Sequence, residues 1–184
     1  LFIYKKEGVI MNVRKGYESL GIDGFYQENR DTYQNPHYES IKYLMEYAQC
    51  NWNLGNKMID LCCGSGEVSK NITCGEVIGV DPYTYDLYRR ETGNTVYHLS
   101  FRDIVIGKLS KQCNQCDTII CSYALHLCEE SMLPVLLWQL GMIARKLIII
   151  TPHKRPDCDG ISGWSLADQR KYGKTTMKLY TRLL

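Results

Sequence analysis

Five short runs of apolar, largely β-branched residues punctuate the middle of the chain: Met58 to Cys62, Glu76 to Val80, Thr95 to Leu99, Asp117 to Cys121 and Leu147 to Thr151. Within them apolar positions are consecutive rather than alternating, as in strands covered on both faces. They also alternate with helical or turn-rich segments, the mark of parallel βαβ units. Between the fourth and fifth runs, Glu129 to Arg145 carries Met132, Leu133, Leu136, Leu137, Leu140 and Ile143 at spacings of three and four. Acids open this segment, and Arg145 and Lys146 close it, which predicts an amphipathic crossover helix whose charges suit its dipole. Upstream, Asn35-Pro36 marks a turn, and His37 to Gln49 reads as a helix with Ile41, Leu44, Met45 and Ala48 on one face. A short helix is expected through Val68 to Ile72. Downstream, Pro152 to Gly163 is loop-like, Leu166 to Tyr172 reads as a short helix, and Thr175 to Leu183 alternates as a closing strand. There is no internal repeat or low-complexity tract. The pattern predicts one α/β domain over residues 1–184: a doubly wound, mostly parallel sheet with helices on both faces and an antiparallel closing strand.

Composition narrows the class. With 22 Lys+Arg against 20 Asp+Glu the formal net charge is +2, too small to argue for a general nucleic-acid or membrane binder. The 9 cysteines are odd in number, scattered, and adjacent at Cys62 and Cys63, unlike the spaced framework of a secreted disulfide scaffold, so a reducing, cytoplasmic setting is expected. The longest apolar stretch, Met132 to Ala144, falls short of the roughly 18 to 20 residues that span a bilayer. Leu1 to Met11 is interrupted by Lys5, Lys6 and Glu7 and does not read as a signal peptide.

The strongest chemical signal is Asp60-Leu61-Cys62-Cys63-Gly64-Ser65-Gly66-Glu67, directly after the first run. Small residues at such a turn let backbone N–H groups approach a ligand, and open α/β sheets bind ligands at the carboxyl ends of their strands. A nucleotide-like ligand is implied. Asp81 closes the second run, where an acid can accept hydrogen bonds from ribose hydroxyls. Asp103 follows the third, where an acid can accept from an exocyclic amine while Phe101 or Ile104 packs on a base. Taken singly, each acid reads as readily as a solvated loop or helix-cap residue. Their recurrence at successive strand ends favours a ligand site.

On these residues, and on Cys121-Ser122-Tyr123-Ala124-Leu125-His126-Leu127 after the fourth run, the chain resembles the class I, Rossmann-like S-adenosylmethionine-dependent methyltransferases from about Met58 to Pro152. The resemblance implies S-adenosylmethionine as cofactor and S-adenosylhomocysteine as product. It implies a cofactor-binding set of Asp60, Cys62, Gly64, Ser65 and Gly66 around the methionine and ribose. Asp81, Pro82 and Tyr83 would sit at the ribose hydroxyls, Phe101 and Asp103 at the adenine, and Ser122 at the end of the fourth run. One departure is Cys62, where the family's loop usually carries its first glycine. Residues 1–50 would form a leader and first helix covering the cleft, 58–151 the cofactor-binding core, and 152–184 a substrate loop and closing strand. The leader, from Gly21 to Tyr26 and Tyr33 to His37, also resembles an uncharacterised methyltransferase group. That nominates Tyr26, Tyr33 and His37 as facing the cleft, against the alternative that these rings simply pack on the core.

Methyl transfer from a sulfonium is a direct displacement, so the protein must align the acceptor and exclude water. An acceptor that loses a proton also needs a base. His126 is the first candidate, His37 the next, with Tyr123 positioning the acceptor. His153 and Arg155, beyond the fifth run, would meet an anionic substrate group. Cys113 and Cys116 have metal-like spacing but no second pair, and no metal site is expected. Three classes of function survive: a methyltransferase on a small polar molecule, acting as a monomer or weak dimer; one on RNA or protein, with a partner subunit; and a non-catalytic cofactor-binding scaffold. The first is the reading expected. A nicotinamide-dependent oxidoreductase is disfavoured because the loop lacks Gly-x-Gly-x-x-Gly spacing.

Overall fold

The structure, a computed structural model, describes residues 3–6 and 9–182. An antiparallel hairpin, β1 (Ile3–Lys6) and β2 (Val9–Asn12), leads into helix α1 (Val13–Asn29), which breaks at Gly21 where φ is +69°. This hairpin is not legible in the sequence pattern. Helix α2 (Tyr38–Asn51) follows, then β3 (Lys57–Leu61), β4 (Glu76–Val80), α3 (Tyr85–Thr92) and β5 (Val96–Tyr97). The second half comprises α4 (Phe101–Val105), α5 (Lys108–Gln112), β6 (Thr118–Ser122), α6 (Leu133–Ile143), β7 (Lys146–Thr151), β8 (Trp164–Tyr172) and β9 (Thr175–Arg182).

The main sheet has seven strands in the order β5-β4-β3-β6-β7-β9-β8. The first five run parallel, and β9 lies antiparallel between β7 and β8. The expected doubly wound sheet and its antiparallel closing strand, β9, are present; beyond β9 lies an additional edge strand, β8, which runs in the same sense as β7. Leu166 to Tyr172 is therefore strand, not helix. Gly173, at φ +58°, and Lys174 turn the chain so that Tyr172 pairs with Thr175, and the ladder to β9 supplies the hydrogen bonds that a helix would have made locally. The closing strand is seen to Arg182, Leu183 lying outside the described residues, as do Leu1, Phe2, Glu7 and Gly8 of the segment weighed as a signal peptide. The helix expected through Val68 to Ile72 is a single 3₁₀ turn at Ser69–Asn71.

Strand pleating explains the continuous apolar runs. Ile59, Leu61, Ile119, Cys121, Leu147 and Ile149 point to one face, where Leu136, Leu137 and Leu140 of α6 and Ile104 of α4 cover them. Met58, Ile120, Ile148 and Ile150 point to the other, against Ile41, Leu44, Met45 and Ala48 of α2. With both faces covered, ligands can reach the sheet only at its ends. Among the described residues no helix is long and apolar enough to cross a membrane.

Candidate functional site

The loop after β3 is pinned to the top of β4: Cys62 N and Cys63 N both donate to Val80 O, at 2.7 and 3.2 Å. Cys62 has φ +58°, in the left-handed region that glycine adopts freely. A cysteine holds this conformation at some backbone cost, with its thiol against that of Cys121. Gly64 has φ +56°, and a Cβ there would stand 3.0 Å from Glu67 Oε2 and 3.1 Å from Tyr33 Cε1. Gly66, at φ +88°, is glycine for a second reason as well, since its Cβ would meet Thr92 Cγ2 at 2.4 Å, so it lets α3 approach the loop.

Three buried carboxylates organise the turn. Asp60 Oδ2 accepts from Ser69 N at 3.2 Å and Ser69 Oγ at 2.7 Å, and Ser69 Oγ lies 2.7 Å from Tyr88 Oη. Burial pushes the Asp60 carboxyl well above the usual carboxylate range, with Glu67 and Asp81 adding to the effect. Asp81 Oδ1 accepts from Tyr83 N and Thr84 N, both at 2.8 Å, and Oδ2 from Gly64 N at 3.2 Å. Burial raises its pKa too, against these backbone donors. Glu67 Oε1 accepts from Asn35 N at 2.9 Å and Ser65 Oγ at 2.5 Å, tying the leader to the loop.

Over this turn lies a cavity of about 470 Å³. Cys62, Gly64, Glu67 and Asp81 form one wall, Leu99 to Arg102 with Ile104 a second, and Ser122 to Ala124, Leu127, Glu129 and Met132 a third. Tyr26, Tyr33 and Asn35 of the leader and Pro82 and Tyr83 complete it. Tyr26 stacks on Tyr83 with ring centroids 5.5 Å apart and meets Tyr33 at 5.4 Å. Its ionic side chains are Glu67, Asp81, Glu129 and Arg102, and the guanidinium of Arg102 pairs with Glu129 at 2.8 Å. Glu67 and Asp81 take their hydrogen bonds from neutral donors, so the cavity is electronegative.

The structure thus gathers Cys62, Gly64, Asp81, Pro82, Tyr83, Phe101, Ser122, Tyr123, Tyr26 and Tyr33 around one space. Asp60, Ser65 and Gly66 stand behind it as supports of the loop. Asp103 is not among the residues that line the cavity, and it caps α4. Its Oδ2 accepts from Ser100 N and Oγ at 2.9 and 2.6 Å, and its Oδ1 from Lys108 Nζ at 2.6 Å. The Lys108 ammonium and the Ser100 donors hold this carboxyl far below its ordinary pKa. Ser100 and Phe101 line the wall in its place. Glu67, Asn35 and Ser100 are further lining residues that strand-end position in the sequence does not mark. For Ser100 the spacing Ser-x-x-Asp of a capping box was the available signal; for Asn35, joined to Glu67 across 32 positions, there was none.

Three of the four histidines, His37, His126 and His153, gather beyond the ends of β6 and β7, while His98, after β5, stacks on Tyr85 at 4.2 Å. His37 stacks on Tyr123 at 4.2 Å and 6° between planes, and burial and the nearby His153 lower its pKa. Tyr123, at φ +55°, bonds through its hydroxyl to Thr175, so it is a fixed wall of the cavity rather than a mobile proton donor. His126 and His153 rings are 4.4 Å apart. Desolvation of the ring, then the charge of His153, brings His126 down to about 4, although the residue as a whole is exposed. His126 does not line the first cavity. With Arg155, Cys128 and Glu130 it lines a neighbouring hollow of about 390 Å³, across the Ser122–Glu130 segment.

No family model matches the chain. Among solved structures it superposes on magnesium protoporphyrin IX methyltransferase of Synechocystis PCC 6803 with bound SAM, at TM-score 0.64 and 17% identity over 93% of this chain and 95% of that one. A putative RNA methyltransferase of Pyrococcus horikoshii matches at TM-score 0.62 and 14% identity, over 86% and 90%. The fold is that of the class I, Rossmann-like S-adenosylmethionine-dependent methyltransferases. In sequence, an uncharacterised protein of Schizosaccharomyces pombe is 30% identical in an alignment that covers 83% of this chain and 79% of that protein. The chain belongs to its family.

Proposed function

We infer that the protein transfers a methyl group from S-adenosylmethionine to a small polar acceptor. The observation that carries this reading is the electronegative cavity at the carboxyl end of the parallel strands, with buried Asp81 and Glu67 beside Gly64. Two buried carboxylates with neutral donors oppose a dinucleotide pyrophosphate and favour a ligand carrying sulfonium and ammonium charges. Asp81 Oδ2, with one backbone donor at 3.2 Å, retains lone pairs for ribose hydroxyls. Leu99 and Phe101 offer apolar surface for a base.

When bound, S-adenosylmethionine supplies an electrophilic methyl on sulfur. The chain's own work is then alignment, dryness and proton handling. Tyr26, Tyr33 and Tyr83 form an aromatic cover that excludes water. Tyr123, locked by stacking on His37 and by the bond to Thr175, presents a rigid wall to the acceptor. The acceptor would reach from the cavity past the Ser122–Glu130 segment into the neighbouring hollow, where His126, its pKa brought down to about 4, would keep a nitrogen lone pair for the acceptor's proton and Arg155 would offer a cation beside it.

Calorimetry with S-adenosylmethionine and S-adenosylhomocysteine, and NADH as control, tests the cofactor. Binding of the first two alone is expected. Labelled-methyl transfer into cell-extract fractions of small molecules, RNA and protein then tests the acceptor. Label in the small-molecule fraction is expected; label confined to RNA or protein overturns the acceptor class, and NADH binding in place of the sulfonium overturns the whole reading.

A further inference from the structure

Helix α6 carries no charged residue over Leu133–Ile143 and is apolar around most of its circumference. Its inner face, Leu133, Leu136, Leu137, Leu140 and Ile143, is buried in the core. Its outer face is not: Val135, Trp138 and Met142, at spacings of three and four, are 45%, 46% and 54% exposed. Ile106, 66% exposed, stands in the turn before Gly107, and Gln139 Nε2 of α6 bonds to Val105 O beside it. Together these side chains expose about 400 Å² of apolar surface, the size at which a patch on a soluble domain marks an interaction site. A half-exposed tryptophan at the centre is the kind of anchor that dominates interfaces.

Charge at the two ends of the helix indicates what covers this face. Glu130, exposed, precedes α6, and Arg145, exposed, follows it with Lys146. Arg182 lies against Gly141 near the same basic end. Exposed Glu130 and exposed Arg145 stand eight and seven positions from Trp138, on either side of it. A two-fold axis at Trp138 therefore sets the acidic end of one copy opposite the basic end of another, and Val135 opposite the Gly141–Met142 turn. Parallel docking would set acid against acid. We propose that α6 is a self-association surface, on which a second copy of this chain packs antiparallel about a two-fold axis at Trp138.

Two such patches bury about 800 Å² of apolar surface, less than the roughly 1,200 to 2,000 Å² of a standard stable interface, so association is concentration-dependent. Sedimentation velocity of the full chain from about 1 to several hundred micromolar tests it. The 21.3 kDa species is expected to give way to one of twice that mass. Trp138→Lys should abolish the shift. Glu130→Lys and Arg145→Glu should each weaken it several-fold, and the two together should restore it, a pattern that keeps the test decisive if the tryptophan variant does not fold. A parent that stays monomeric throughout, or a dimer indifferent to both Trp138→Lys and Glu130→Lys, overturns the proposal, whatever other protein the face recruits.

Discussion

Asp81→Asn separates support of the loop from recognition of the ligand. The amide keeps one oxygen, which can still accept from Tyr83 N and Thr84 N at 2.8 Å, so the turn into α3 should survive. The other carboxylate oxygen becomes an NH₂ facing Gly64 N, a donor set against a donor, and it can no longer accept from a ribose hydroxyl. Charge-assisted hydrogen bonds contribute about 1.5 to 3 kcal/mol each, and a ribose diol offers two hydroxyls to one oxygen that already has a backbone donor. A net loss of about 2 to 4 kcal/mol follows, which is roughly 30-fold to several hundred-fold in Kd. Titration calorimetry with S-adenosylhomocysteine reads this directly, and a thermal melt of the variant confirms that the fold is intact. An Asp81→Asn protein that melts like the parent and binds within threefold of it would falsify the assignment of Asp81 to the ribose.

If His126 accepts the acceptor's proton, its neutral form is the active one. Its pKa of about 4 then keeps activity level down to about pH 5, where an ordinary histidine would already be protonated, and His126→Gln should lower kcat by about 10² to 10⁴. A pH profile that breaks near 6.5, or a fully active variant, contradicts this. Burial raises the Asp60 pKa, so the folded chain binds that proton more readily than the unfolded one. The resulting stability is full below the ordinary carboxylate value and lost as pH rises through the raised one. Asp60→Asn should therefore flatten the dependence of denaturant midpoint on pH over the weakly acidic range, and an unchanged slope argues against it. At Cys62, φ +58° predicts that Cys62→Gly is neutral within about 1 kcal/mol while Cys62→Val, β-branched in the left-handed region, costs about 2 to 3 kcal/mol in urea unfolding. Equal midpoints for the two variants would remove the argument from backbone strain.

The parallel core was legible in the sequence because its forces are local and periodic. Consecutive apolar positions at Ile119 to Cys121 and Leu147 to Ile150 must be covered on two faces, and Leu133, Leu136, Leu137, Leu140 and Ile143, at spacings of three and four, mark the face of α6 that the core covers. The Asp60–Glu67 turn and Asp81 were legible for the same reason, as short-range signals at strand ends. What only the tertiary structure decided depends on partners distant in the chain. Leu166 to Tyr172 becomes part of a strand because β9 offers it a ladder, although its own residues suit a helix equally. Asp103 is a cap because Ser100 and Lys108 occupy its oxygens, and strand-end position alone cannot distinguish a cap from a ligand contact. Glu67 reaches Asn35, and His126 meets His153, across gaps that no periodicity spans. Hydrophobic pattern fixes which face of an element is buried, but which polar groups meet at the end of a sheet is set by the packing of separate elements, and that is where the chemistry of this protein lies.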